Sequence, residues 1–230
     1  MAASTNSSPV HGDRDLLGQT VMVIGGSSGI GFETARLARA QGADIILTAR
    51  NPDRVHRAGT ELGASIAVFD ATDFGRLGRF FDAIAVPIDH LLLTGPSPYQ
   101  APLDEFDLDA ARRDLDAHLL LPLLVARNAA GKVRPGGTLL FLGGGCGRRA
   151  ATGIAFTAAL TAALSAATRD LALEIAPVRV NLIAAGSADT LPSGTRPAGR
   201  VADPAGIAAL AVRLMTGTEV TGATFGIDGG

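Results

Sequence analysis

From Leu17 onward, continuous apolar runs alternate with segments whose apolar residues recur at helical spacing. The runs Ile45-Ile46-Leu47, Leu91-Leu92-Leu93 and Leu139-Leu140-Phe141-Leu142 carry no polar alternation. A strand needs such a run when both of its faces are buried, as in a parallel sheet covered by helices. The pattern predicts strands at 20–25, 44–49, 65–69, 88–94, 137–143, 178–184 and 223–227. It predicts helices at 29–41, 52–62, 73–85, 107–131, 152–176 and 203–216. Strict alternation of this kind implies right-handed crossovers and a doubly wound sheet. The expectation is a single α/β domain over 17–230, with about seven parallel strands and helices on both faces. The polar stretch 1–16 reads as a flexible tail.

In such a sheet, ligands bind beyond the carboxyl ends of the strands, near the reversal in strand order. The first post-strand loop carries the clearest chemistry. Residues 21–31 read VMVIGGSSGIG, and Gly25, Gly29 and Gly31 fit G-x-x-x-G-x-G, a variant of the dinucleotide fingerprint of Rossmann folds. Glycines let the backbone turn tightly and approach a pyrophosphate, whose charge then lies at the positive end of the following helix. A plain glycine turn would share the composition. The strand before it and the helical pattern after it favour a phosphate cradle formed by Gly25, Ser27, Ser28, Gly29, Ile30 and Gly31.

Composition narrows the function classes. The 230 residues are 47% apolar and 18% charged, which suits one globular domain with a large core. A net charge of -2 offers no basic field for nucleic acid. No apolar run reaches membrane-spanning length, and the amino-terminal segment lacks the apolar stretch of a signal peptide. Cys146 is the only cysteine, so no internal disulfide forms, which suits a reducing cytoplasm. The histidines His11, His56, His90 and His118 show no metal-ligand spacing, and no metal is expected.

Four segments together resemble the short-chain dehydrogenase/reductase family, from about residue 18 to the carboxyl terminus. GGSSGIG at 25–31 resembles the family's cofactor loop. DHLLLTG at 89–95 is similar to its fourth strand, with Thr94 and Gly95 at the Asn-Asn-Ala-Gly end. VRVNLIAAG at 178–186 is similar to the sixth strand, with Gly186 at its Pro-Gly end. VTGATFGIDGG at 220–230 resembles the closing segment. The resemblance implies a nicotinamide cofactor lying across the sheet edge. Enzymes that prefer NAD usually place a carboxylate at the end of the second strand. Here that strand ends Thr48-Ala49-Arg50, and an arginine can grip a 2′-phosphate with paired charged hydrogen bonds. NADP(H) is therefore expected over NAD(H), although Arg50, like Arg54 and Arg57, also reads as solvated surface. Asp70 falls where the family's Asp contacts the adenine edge; a helix-capping Asp would look the same.

The family donates the reaction's proton from a Tyr, with a Lys four residues on, a Ser after the fifth strand and an Asn in the preceding helix. Aligning FTAALTAAL at 156–164 with that helix puts Phe156 at the Tyr position and Leu160 at the Lys position. The Ser position falls on Gly143 or Gly144, and the Asn position on His118. The chain has one tyrosine, Tyr99, and one lysine, Lys132, so no Tyr-x-x-x-Lys exists in any register. A phenyl ring has no proton to give, and a positioned acid is typically worth about 10²–10⁴ in rate.

Two residues could substitute. His118 would project toward the same pocket and, with an ordinary pKa near 6.5, is a competent donor; it also reads as a histidine on an apolar helix wall. Tyr99, in TGPSPYQ at 94–100, lines the substrate side by resemblance, or simply anchors that loop. Cys146 lies close in sequence to Arg148 and Arg149, which would lower its pKa, but the reading preferred for it is a small buried thiol. The segment 185–201 holds Pro192, Gly194, Pro197 and Gly199 and is a short lid. The predicted helices 107–131 and 152–176 carry small or apolar residues on most faces and must be buried, against the sheet or against another subunit; the family resemblance, in which these helices form the subunit interface, implies a homodimer or homotetramer. Two functions stay open: an NADP(H)-dependent oxidoreductase reducing a carbonyl or imine with non-standard acid–base residues, and a catalytically inactive dinucleotide-binding sensor or scaffold.

Overall fold

The computed structural model describes residues 15–144, 152–185 and 203–227. Seven parallel strands form one sheet in the order β3-β2-β1-β4-β5-β6-β7. They are β1 (Thr20–Ile24), β2 (Asp44–Ala49), β3 (Ser65–Val68), β4 (Ile88–Leu93), β5 (Val133–Gly144), β6 (Arg179–Ala185) and β7 (Thr224–Ile227). The helices are α1 (Gly29–Ala40), α2 (Pro52–Leu62), α3 (Phe74–Ala83), α4 (Leu108–Leu115), α5 (Leu121–Ala129), α6 (Ala155–Glu174) and α7 (Pro204–Thr216). The doubly wound α/β expectation is met, and the strand order reverses between β1 and β4.

Side chains alternate across the sheet into two cores. Met22, Leu91, Leu139 and Val180 face α3, α5 and α6, where they meet Phe81, Val125 and Leu164. Val21, Leu92, Leu140 and Ile183 face α1, α2 and α7, against Ala35, Val55 and Ala211. All six residues of β4 are buried, which is why its sequence shows no polar alternation. Leu16, placed by its sequence neighbours in the polar stretch, is fully buried in the second core behind the turn that leads into β1.

The single helix expected over 107–131 is corrected. α4 and α5 are joined by a π-turn, Asp116–Leu120, in which the Leu121 amide reaches back five residues to the Asp116 carbonyl. Pro122 supplies the reason: it has no N–H for the carbonyl four residues earlier, and its ring needs a widened turn. His118 sits inside that turn. β5 also starts earlier than expected, because Val133 pairs with Ile88 before the ladder shifts and resumes at Thr138 opposite His90.

Candidate functional site

The carboxyl ends of β1, β2, β3 and β4 open into one cleft of about 620 Å³ at the reversal in strand order. Its first wall is the glycine loop. The Gly25 and Gly26 amides donate to the Thr48 carbonyl at 2.8 and 3.2 Å, and Thr94 Oγ1 donates to the Ile24 and Gly25 carbonyls at 3.2 and 3.1 Å. The loop is thus pinned between the ends of β2 and β4. A side chain at Gly25 would collide with Thr94, and its φ of +90° disfavours any other residue. A Cβ at Gly31 would lie 2.6 Å from the Gly25 carbonyl oxygen, so α1 packs on the loop only because that position is bare.

Asn51, Asp73, Asp107 and Asp203 cap the amino termini of α2, α3, α4 and α7 with side-chain hydrogen bonds. α1 has no such bond from Ser28 and no acid in its first turn. Ser27 and Ser28 line the cleft. A helix amino terminus turned toward a cleft, with no side chain to satisfy it, is a seat for an anion from a ligand. The donor set therefore fits a pyrophosphate.

At the β2–β3 end the cleft is lined by Arg50, Asn51, Arg54 and Asp70. Asn51 Oδ1 accepts the Arg54 amide at 2.9 Å, which starts α2 beside the cleft and brings two guanidinium-bearing residues to one wall. Both arginines are exposed, as the solvated-surface reading has it, and Arg54 also borders the cleft. Its signal was the spacing, one helical turn beyond Arg50 across an Asn-Pro cap. Asp70 Oδ1 accepts the Thr72 amide at 3.0 Å and the Thr72 hydroxyl at 2.7 Å. That amide has the largest influence and holds the Asp70 carboxyl below its usual range; burial opposes it, and the hydroxyl and the charge of Arg50 act with the amide to a lesser extent.

Of the expected cofactor residues, Gly25, Ser27, Ser28, Arg50, Asp70, Thr94 and Gly95 share this one cleft. Gly29, Ile30 and Gly31 form the first turn of α1 behind the loop. Gly186, Cys146 with Arg148 and Arg149, and nearly all of the segment 185–201 lie outside the described residues.

The positions aligned with the family's proton relay are packed together. Gly143, Gly144 and Leu160 meet Pro98, Thr157, Thr161 and His118 around a gap of about 10 Å³. That is about the volume one water requires. Thr161 Oγ1 donates to the Gly144 carbonyl at 2.7 Å, and Thr157 Oγ1 donates to the Tyr99 carbonyl at 2.7 Å, so α6 is laced to β5 and to the loop after β4. A Cβ at Gly144 would stand 2.7 Å from Pro98 Cγ. Phe156 stacks edge-on with Tyr99 and Phe106, at centroid distances of 6.5 and 5.7 Å.

Tyr99 lines the large cleft. Its Oη accepts the Asp107 amide at 2.7 Å and donates to the Glu105 carbonyl at 3.4 Å, so it also anchors the loop. Lys132 stands at the opposite, amino-terminal end of the strands, just before β5, with Nζ donating to the Ile84 carbonyl at 3.2 Å. His118 lies beside the large cleft, not on its wall. Its Nδ1 faces Asp114 Oδ1 at 2.9 Å and the Asp114 carbonyl at 3.2 Å, and its Nε2 faces the Pro96 carbonyl at 3.0 Å. Both members of the ion pair are buried. Burial opposes charge on the ring, but the Asp114 carboxylate, together with the two carbonyls, outweighs it and raises the His118 pKa. Asp114 was missed by sequence reading; an acid four residues before a helical histidine was the available signal.

The family model described as "Enoyl-(Acyl carrier protein) reductase" matches residues 24–230. Among curated proteins, the chain is 32% identical over 190 residues to the short-chain dehydrogenase/reductase ATR9 of Stachybotrys chlorohalonatus, covering 74% of this chain and 73% of that one. It is 30% identical over 241 residues to the cis-4-hydroxycyclohexanecarboxylate dehydrogenase of Sinomonas cyclohexanicum, covering 92% and 96%. It is 30% identical over 179 residues to the cyclic-di-GMP-binding biofilm dispersal mediator protein of Escherichia coli, covering 75% and 74%. Among solved structures, a dehydrogenase/reductase from Sinorhizobium meliloti superposes with a TM-score of 0.83 at 27% identity, covering 94% of this chain and 95% of that one.

Proposed function

Because the chain belongs to the short-chain dehydrogenase/reductase family, we propose that it is an oxidoreductase that holds NADP(H) in the 620 Å³ cleft and reduces a carbonyl or imine with non-standard acid–base residues. The observation that carries this reading is the amino terminus of α1, which lacks a side-chain cap beside the cleft at the strand-order reversal. The loop Gly25–Gly31 holds the pyrophosphate, Asp70 the adenine edge, Arg50 and Arg54 the 2′-phosphate, and Thr94, Gly95 and Gly186 the nicotinamide half. When bound, the nicotinamide supplies the hydride. Tyr99 carries the transferable proton at Oη, since of the two candidates it alone lines the cleft. The chain works in the cytoplasm as a homodimer or homotetramer through the outward faces of α4, α5 and α6, where Leu108, Leu123 and Leu173 are exposed; sedimentation as a monomer would remove that assignment. No described helix is long and apolar enough to cross a membrane.

Fluorescence titration tests the cofactor. NADPH binds in the micromolar range, more tightly than NADH. Arg50→Ala and Arg54→Ala each weaken NADPH by roughly tenfold, the scale of one charge-assisted hydrogen bond, and leave NADH unchanged. Equal sensitivity of both nucleotides would move the preference away from NADP(H). No binding of either at millimolar concentration would end the dinucleotide reading.

The packing around Gly143, Gly144 and Leu160 favours a second reading, a dinucleotide-binding sensor or scaffold without turnover. NADPH oxidation across a panel of carbonyls and imines separates the two. On the oxidoreductase reading Tyr99→Phe lowers turnover by about 10²–10⁴ with NADPH affinity retained. On the sensor reading there is no oxidation to lose. The Escherichia coli relative makes cyclic di-GMP the first competitor to include in the titration.

A further inference from the structure

The loop after β4 and the helix α4 form two walls of the same cleft, through Gly95, Pro96, Arg113 and Asp114. His118 stands behind both. One ring nitrogen meets Asp114 on the α4 wall at 2.9 Å, and the other meets the Pro96 carbonyl on the loop wall at 3.0 Å. Its surroundings on the third side are Gly143 and Gly144 of β5 and Thr157, Leu160, Thr161 and Leu164 of α6, none of which titrates. His118 lies within the π-turn, with Asp114 four residues before it on the same helical face.

Both partners of this ring are acceptors. A neutral imidazole carries one N–H and can hold one of them; the imidazolium carries two and holds both. We infer that the His118–Asp114 pair is a proton-dependent strut that fixes the two cleft walls relative to each other, so that nucleotide affinity follows the charge on His118. His118 is thereby a positioning residue and not the proton donor of the reaction. The inference takes its ligand from the dinucleotide reading above. Among the described residues, the charged groups near the ring are Asp114, and on the same helical segment Arg113 and Asp116. The loop from Thr94 to Tyr99 carries no charged side chain; its polar side chains are the hydroxyls of Thr94, Ser97 and Tyr99.

The sign follows from the raised pKa: affinity is greatest while the ring is protonated and falls as pH rises through the folded-state value, above 6.5. Loss of one wall-to-wall hydrogen bond weakens binding by about tenfold. Linkage requires the reverse as well, so bound nucleotide moves the His118 titration to higher pH.

NADH is the probe, because it has no 2′-phosphate to titrate in this range. Its dissociation constant, measured from pH 6 to 9, rises about tenfold for the native chain. For His118→Gln, which keeps an N–H for Pro96 but cannot titrate, the profile is flat. In the nucleotide-free chain, the Gly95 amide resonance shifts with the same midpoint as the His118 ring. A flat native profile with tight NADH binding overturns the strut and leaves the dinucleotide reading standing. Gly95 tracking His118 with no NADH bound at any pH keeps the strut and overturns the ligand. A Gly95 resonance indifferent to His118 overturns the strut whatever binds.

Discussion

Replacing Asp114 by Ala lowers the folding stability at neutral pH by about 1–3 kcal/mol, the usual cost of leaving a buried polar group without its partner. The side chains of Asp114 and His118 are 7% and 9% exposed, so solvent cannot take the place of the missing carboxylate. The ring is left with its Pro96 contact and the Asp114 main-chain carbonyl, and it relaxes by losing its proton. Asp114→Asn keeps an acceptor of the same shape without the charge, and its loss is the smaller of the two. The pH dependence checks the cause. A histidine whose folded pKa is raised contributes stability that is fully present below its unfolded value of 6.5 and is lost as pH rises through the folded value. Urea unfolding of the native chain therefore shows this part of its stability falling as the pH rises above 6.5. For Asp114→Ala that fall is absent. A variant within about 1 kcal/mol of the native chain, the range of an exposed pair, would mean that the pair contributes no more than a surface contact.

Replacing Gly31 by Ala both destabilises the chain and cuts nucleotide affinity. The added Cβ would lie 2.6 Å from the Gly25 carbonyl oxygen and 3.3 Å from Gly26 Cα. Both are backbone atoms, held by the hydrogen bonds from Gly25 and Gly26 to Thr48, so neither can swing aside. α1 must lift from the loop. Overpacking of this kind costs about 1–3 kcal/mol. Moving the first-turn amides away from the phosphate reduces NADH affinity by more than about tenfold, since a helix terminus acts over a single turn. Gly78→Ala is the matching control. It lies inside α3 with nothing within 4 Å of the new atom, so the change gains roughly 0.5–1 kcal/mol from backbone entropy alone and leaves binding untouched. Equal NADH affinity for Gly31→Ala and Gly78→Ala would remove the glycine loop from the binding site.

Much of the fold was legible because burial on two faces writes itself into the chain. Leu91-Leu92-Leu93 alternates into opposite cores, which only a covered sheet permits. The glycine loop was legible for the same kind of reason: Gly25 and Gly31 meet backbone or a neighbouring side chain, and no other residue satisfies those contacts. The π-turn was less legible. Pro122 marks a disturbance, but a helical pattern absorbs one extra residue without losing its apolar stripe. The partners of His118 were illegible in part. Asp114 is one turn away in sequence, whereas the Pro96 carbonyl lies across the chain, and a carbonyl has no sequence signature. Arg54 is exposed, as its sequence context suggests, and only the Asn51 cap at the start of α2 shows that it also borders the cleft.

The sequence by itself determined the order of elements, the two-sided burial of the sheet, the glycine loop after β1 and the absence of any Tyr-x-x-x-Lys, because each depends on residue type and local spacing. Tertiary structure alone decided which side chains share the cleft. It set Tyr99 on the wall and Lys132 at the far end of the strands, and it turned His118 inward between two acceptors. The physical reason is that a site is assembled from strand ends distant in the chain. The distances between those ends follow from sheet register and helix packing, which no local pattern encodes.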